Sequence, residues 1–196
     1  LIESLREMID EQLICRLQAG DTRAFDELYD RHSPRLLGYL RRMVGDSERA
    51  QDLLHDVFLR LVERCDRIDT QRPFSRWLYS VAHNLCCSEL RHSHVRRDKS
   101  NDLSLELRFQ VAETQPLTPD HGLDDERFLA ALDSALANLE PERRSVFVLR
   151  HALQWPIAQI SEAVGCPEGT VKSRLFHATR ALAASLRPFD PTGPTP

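Results

Sequence analysis

DSERAQDLLHDVFLRLVER, residues 46–64, places Ala50, Leu53, Leu54, Val57, Phe58, Leu61 and Val62 at alternating steps of three and one. That is the spacing of one face of an α-helix, and no strand can bury such a set on one side. The opposite face carries Asp52, His55, Asp56 and Arg60, so the stretch predicts an amphipathic helix with a polar, acid-rich outer side.

The same period continues in both directions. Upstream, Leu5, Met8, Ile9, Leu13 and Leu17 predict a helix over 5–17, and Gly20 with Asp21 supplies a stop and a fresh cap. Phe25, Leu28, Tyr29, Leu36, Leu37, Leu40, Met43 and Val44 predict a second helix ending at Gly45. Pro34 is expected to kink or split it, because proline removes a backbone donor. Downstream, DRIDTQRP (66–73) reads as a polar loop. A further helix then holds Phe74, Trp77, Leu78, Val81, Ala82 and Leu85 and ends in the basic run RHSHVRRDK (91–99).

Residues 99–123 break the pattern, with Pro116, Pro119 and Gly122 marking a linker. Within it Leu103, Leu105, Leu107, Phe109 and Val111 alternate with polar residues, so an extended segment would have one apolar face, which a fully solvated linker does not need. Helical spacing resumes at Phe128, Leu132, Leu136 and Leu139. Pro141 takes a favoured first-turn position of the next helix, whose contacts are Val146, Phe147 and Leu149. Ile157, Ile160 and Val164 predict a short helix, Gly165 a left-handed turn, and Val171, Leu175, Ala178 and Leu182 the buried side of a last helix. The expected architecture is all-α: a helical domain over 1–98, an irregular linker over 99–123, a second helical domain over 124–187, and a disordered tail over 188–196.

Composition bounds the function. The chain has 196 residues, 41% hydrophobic and 29% charged, with only 7 Gly, as in a soluble helical protein. No apolar run is long enough to span a bilayer, and Glu3, Arg6 and Glu7 are unlike a secretory leader, so a cytoplasmic protein without membrane insertion is expected. The 5 cysteines include no CxxC pair, which argues for reduced thiols. The net charge of −4 hides its distribution. Acids outnumber basic residues over 1–30, whereas 88–99 and 167–187 are locally basic, the footprint of a nucleic-acid binder. No Gly-rich phosphate loop and no nucleophile–base arrangement is recognisable, so an enzyme is not expected.

The segment from Trp155 to Leu182 has the pattern of a helix-turn-helix, or of a solvated basic helix in a bundle. In the first case Glu168, Thr170, Lys172, Ser173, Arg174 and His177 are left to approach a major groove, with Lys and Arg attracting phosphates and Arg able to pair with guanine. His83 and Cys87 lie four apart with Cys86, His92 and His94 nearby. A zinc or redox site there is conceivable, but inward thiols on a helix read better as core, and no metal or cofactor is expected.

Four blocks, AFDELYDRHSPRLLGYL, DSERAQDLLHDVFLRLVER, RPFSRWLYSVAHNLCCSELR and LEPERRSVFVLRHALQWPIAQISEAVGCPEGTVKSRLFHATRAL, resemble in this order the signature segments of bacterial sigma factors, sigma-70 family, extracytoplasmic-function (ECF) group. The resemblance spans roughly 11–98 and 125–187. It implies a promoter-specificity subunit for a stress- or signal-responsive regulon, whose region 2 binds core RNA polymerase and the −10 element and whose region 4 binds the −35 element. An anti-sigma factor is implied as a further partner.

Carried over by position, Asp52, His55 and Asp56 would meet core polymerase; the family usually has Gln where His55 stands. The loop and the helix after it would form the −10 reader. There Asp69, Thr70 and Arg72 would line a pocket for an unstacked base, Arg76, Arg91, Arg96 and Arg97 would run along the strand, and Asn84 would meet a base edge. Phe74, Trp77 and Tyr79 read better as core than as stacking platforms.

Overall fold

The computed structural model describes residues 3–99 and 123–189, and every regular element among them is helical. The first half contains α1 (Glu3–Arg6), α2 (Asp10–Gln18), α3 (Thr22–Val44), α4 (Ser47–Arg64) and α5 (Phe74–Lys99). The second contains α6 (Leu123–Ala137), α7 (Pro141–His151), α8 (Ile157–Val164) and α9 (Glu168–Ser185). Short 3-10 turns follow α4 (Cys65–Arg67) and α9 (Arg187–Phe189).

Local chemistry sets the boundaries. Asp21 and Asp46 cap α3 and α4 by accepting the N–H groups of Arg23 (3.2 Å) and Arg49 (3.0 Å), each cap worth about 1 kcal/mol. Gly45 ends α3 at φ 72° and donates its N–H to the Arg41 carbonyl at 2.8 Å. A side chain would strain that left-handed turn.

Two expectations change here. The single helix over 5–17 is two helices, broken around Glu7–Ile9. Arg31 of α3 donates to the carbonyls of Met8 (2.9 Å) and Arg6 (3.2 Å). Those are the acceptors that a continuous helix would give to residues four further on. Arg31 also pairs with Asp10 at 2.8 Å and Glu27 at 2.9 Å, which seats α2 on α3. Pro34, conversely, does not split α3. Its ring lies at the exposed surface, while Leu28, Leu36, Tyr39 and Leu40 are buried on the inner face and hold the helix through the missing bond.

The halves are not separate globules. One buried cluster runs from Leu13, Leu28, Leu40, Leu61 and Leu78 into Val146, Leu149, Ile160 and Val171, so α7 and α8 share their core with α3 and α5. A smaller cluster of Leu136, Leu139, Ala178 and Leu182 joins α6 to α9. The Arg187–Phe189 turn carries the described chain into the expected tail, with the Phe189 ring edge-on to Phe128 at 5.7 Å. The apolar stripe at 103–111 and residues 190–196 lie outside the described residues.

Candidate nucleic-acid interface

The outer face of α4 carries Asp52, His55 and Asp56, all exposed as expected. Arg49, one turn before, pairs with Glu89 of α5 and lies 3.8 Å from Asp52. Val62 is a correction. The apolar spacing predicts it on the buried stripe, yet it is 52% exposed, and Leu59 is 49% exposed. The reason is that α4 meets α3 and α5 through Leu53, Leu54, Val57, Phe58 and Leu61, and the next position along falls off the edge of the contact. His55, Leu59 and Val62 therefore form one stripe at helical spacing. Half-exposed Tyr29 of α3 packs on Phe58 at 4.7 Å, one turn from Val62. An apolar strip thus lies beside two carboxylates, the composition that contact with another protein would use, and the overrun of the apolar pattern past the buried face is its signal in the sequence.

The 66–73 loop is pinned by α2. Gln18 donates to the carbonyls of Cys65 (2.8 Å) and Ile68 (3.3 Å), and Glu11 accepts the N–H of Phe74 at 3.0 Å, satisfying the start of α5. Within the loop Asp69 accepts the Gln71 N–H at 3.0 Å and pairs with Arg72 at 3.1 Å. Asp69 and Arg72 line a cleft with Arg76, Trp77 and Ser80 of α5. Thr70 is half-exposed nearby. Trp77 stacks on buried Phe74 at 6.0 Å and both line the cleft, whereas Tyr79 is buried and does not. Asn84 is exposed, and Arg91 is exposed with its Nε on the Cys87 carbonyl at 3.0 Å. Arg96 and Arg97 belong to α5, but their side chains lie outside the described residues.

The helix-turn-helix is built from α8 and α9. Gly165 sits at φ 66°, and Ser161 closes the turn by donating its hydroxyl to the Cys166 carbonyl at 2.6 Å. Val171, Ala178 and Leu182 face inward. Glu168, Lys172, Ser173 and His177 face solvent, with Lys172 3.9 Å from Glu168, and Thr170 is half-exposed. Arg174 is half-buried, its guanidinium 3.6 Å from the Cys166 sulfur. Sequence reasoning passed over Phe176, which is 61% exposed on the same outer strip as Lys172 and Arg180.

Behind this face lies a polar seam between the halves. Ser145 of α7 is 2.8 Å from both the Tyr39 hydroxyl and His83 Nδ1, all three buried. Tyr39 donating to Ser145, and Ser145 to His83, satisfies the chain with a neutral imidazole. Burial lowers the His83 pKa to about 4, opposed by Glu142 and supported by Arg174 and Arg91. Burial also pushes the Cys87 thiol, 3.6 Å from His83, up to about 11 and raises Cys86 further, which keeps both thiols protonated. Arg144 donates to the carbonyls of Met43 in α3, of Ala137 and, at 3.2 Å, of Leu139. Tyr79 meets Trp155 edge-on at 4.8 Å, and Arg76 pairs with Glu162 of α8 at 3.1 Å.

Two family models match the chain in order, sigma-70 region 2 over residues 28–96 and sigma-70 region 4 over residues 129–182. The ECF RNA polymerase sigma factor SigL of Mycobacterium tuberculosis is 36% identical over 176 residues, covering 86% of this chain and 92% of SigL. The RNA polymerase sigma-H factor of Pseudomonas aeruginosa is 30% identical, covering 92% of this chain and 95% of that protein. In fold, the chain is similar to the sigma factor RpoE of Bartonella quintana, solved with the anti-sigma factor NepR, with a TM-score of 0.67 at 21% identity over 83% of this chain and 96% of that one. CnrH, solved with the cytosolic domain of CnrY, gives a TM-score of 0.66 at 23% identity, covering 91% and 97%. Among the described residues no helix is long and apolar enough to cross a membrane. A loop-and-helix cleft in the first half, a helix-turn-helix in the second and both region models matched in that order make the chain a member of the sigma-70 family of RNA polymerase sigma factors, in its ECF group.

Proposed function

We propose that the chain docks on core RNA polymerase through the outer face of α4, takes the melted −10 strand in the cleft between the 66–73 loop and α5, and reads the −35 duplex with α9, catalysing no reaction itself. The observation that carries this reading is the presence, in one chain, of two differently built basic surfaces. One is a cleft of polar and aromatic residues suited to an unstacked base; the other is a convex helix suited to a major groove. Asp52, His55 and Asp56, with Leu59 and Val62 beside them, offer the docking strip that polymerase would cover. An anti-sigma factor, as found with RpoE, is proposed to cover the chain in its silent state.

Reconstitution with core polymerase tests the whole reading. The purified chain is expected to direct transcription from a set of promoters sharing two motifs at fixed spacing, mapped by start sites. Failure to support any promoter-specific initiation with cognate core would falsify it. Within region 4, Lys172→Ala is expected to weaken −35 duplex binding roughly three- to tenfold and to flatten the salt dependence by about one unit of slope, as for a lost phosphate contact. Arg174→Ala is expected to cost less, because that guanidinium is turned toward Cys166. Unchanged affinity and slope in the Lys172 variant would remove α9 as the reader.

A further inference from the structure

Helix α2 precedes residue 28, where the first family match begins, and among the described residues lining the cleft none belongs to it. It nevertheless holds both ends of the 66–73 loop. Glu11 and Gln18 are seven positions apart, so they lie two turns apart on one helix face. From that face Gln18 Nε2 donates to the carbonyls of Cys65 (2.8 Å) and Ile68 (3.3 Å), and Glu11 accepts the N–H of Phe74 (3.0 Å). The Ile68 N–H meets the same Cys65 carbonyl at 3.1 Å. One neutral amide thus bridges the two ends of the 3-10 turn that opens the loop, and a carboxylate anchors its close.

The bonds within the loop do not replace this clamp. Asp69 and Arg72 pair across side chains 54% and 60% exposed, and so solvated a pair holds geometry weakly. Ile68, by contrast, is buried, and its carbonyl belongs to the peptide that leads into Asp69. That peptide is planar, so fixing its carbonyl also fixes the direction of the Asp69 N–H and limits where the Asp69 side chain points. Asp10 of α2 lies 2.8 Å from both Arg31 and His32 of α3, which ties the clamp to the body of the first half. With the cleft as the −10 site, Asp69 and Arg72 are its acceptor and donor for a base edge. The directions of such groups select a base, whereas contacts to phosphates hold any strand.

We propose that Gln18 is a positioning residue for base selection at the −10 element, with Glu11 its counterpart at the far end of the loop. Gln18 touches no DNA. Through the Ile68–Asp69 peptide it sets which base the cleft prefers, and it leaves reading of the −35 element alone. The proposal rests on the reading of the cleft as the −10 site.

The test uses holoenzyme formed from the full chain and core polymerase, transcribing libraries in which the −10 or the −35 element of a mapped promoter is randomised. Sequenced transcripts give a preference ratio among the four bases at each position. Gln18→Met keeps the length of the side chain and removes its donors, and Gln18→Lys supplies donors again. Gln18→Met is expected to lower the ratio at one or two adjacent −10 positions roughly three- to tenfold, as for one or two lost neutral hydrogen bonds. The −35 ratios stay at parental values, and Gln18→Lys recovers most of the loss. Ile14→Val, which loosens the buried side of α2, is expected to lower the thermal midpoint and to leave every ratio as in the parent. Parental −10 ratios in Gln18→Met, an equal fall in Ile14→Val, or no recovery with lysine would overturn the positioning role. Arg72→Ala separates this from the reading beneath it. Flat −10 ratios in Gln18→Met beside altered ones in Arg72→Ala sink the positioning alone, and ratios unaltered in both sink the −10 reading of the cleft as well.

Discussion

Arg144→Ala is expected to lower the thermal midpoint by about 6–12 °C. The guanidinium is buried and donates to three carbonyls, one near the end of α3, one at the last residue of α6 and one just beyond it. These are groups at helix ends, where the backbone has no acceptor-saturating partner of its own. Removing the side chain leaves the carbonyls dry and unpaired. Charge-assisted bonds of this kind contribute about 1.5–3 kcal/mol each. Part of that is offset because Arg144 is itself desolvated, which lowers its pKa, and its Nε has no partner among the described groups. A net loss of about 3 kcal/mol follows, which in a chain of this size is 2–4 °C per kcal/mol. Lysine is no substitute, because one ammonium cannot serve carbonyls on two elements at once. A midpoint for Arg144→Ala within 2 °C of the parent would show that the three bonds carry no net stability.

Acid is expected to loosen the seam through His83. Its folded pKa is depressed to about 4 from an ordinary 6.5, chiefly by burial. A depressed imidazole binds its proton more readily once exposed, so the stability it confers is complete above about pH 6.5 and is lost as pH falls toward 4. The groups facing it are Glu142 from α7, Arg174 from α9, Arg91 from its own helix, the Ser145 hydroxyl and the protonated Cys87 thiol. Only Glu142 favours the charged form. Over this window the loss is on the order of 3 kcal/mol. His83→Gln, which still accepts from Ser145 and does not titrate, is expected to flatten the curve between pH 6.5 and 5. Carboxylates such as Asp10, held low by His32 and Arg31 against its burial, act at lower pH in both proteins. Parallel stability curves for parent and variant would remove His83 as the sensor.

The helices were legible in the sequence because their signals are local. Apolar periodicity, Asp21 and Asp46 as caps, and Gly45 and Gly165 as left-handed stops act within a turn or two of chain. The break before α2 was not legible, since it depends on Arg31 arriving from another helix. Val62 was misplaced for a related reason: periodicity gives the direction of a side chain, and only the width of the neighbouring helices decides where burial ends. The outer residues of α4 and α9 were found from pattern and resemblance together. Arg144, Ser145 and Glu162 were passed over, because each acts on a residue far along the chain, Ser145 and Tyr39 being 106 positions apart. No local motif announces a partner at that separation.

The core that runs unbroken from α3 and α5 into α7 and α8 also makes the two matched regions one cooperative unit. Heat or denaturant is expected to melt both in a single transition, with the same midpoint from a probe in either half. A substitution that loosens one half then lowers the midpoint of the other, so neither region can be weakened alone.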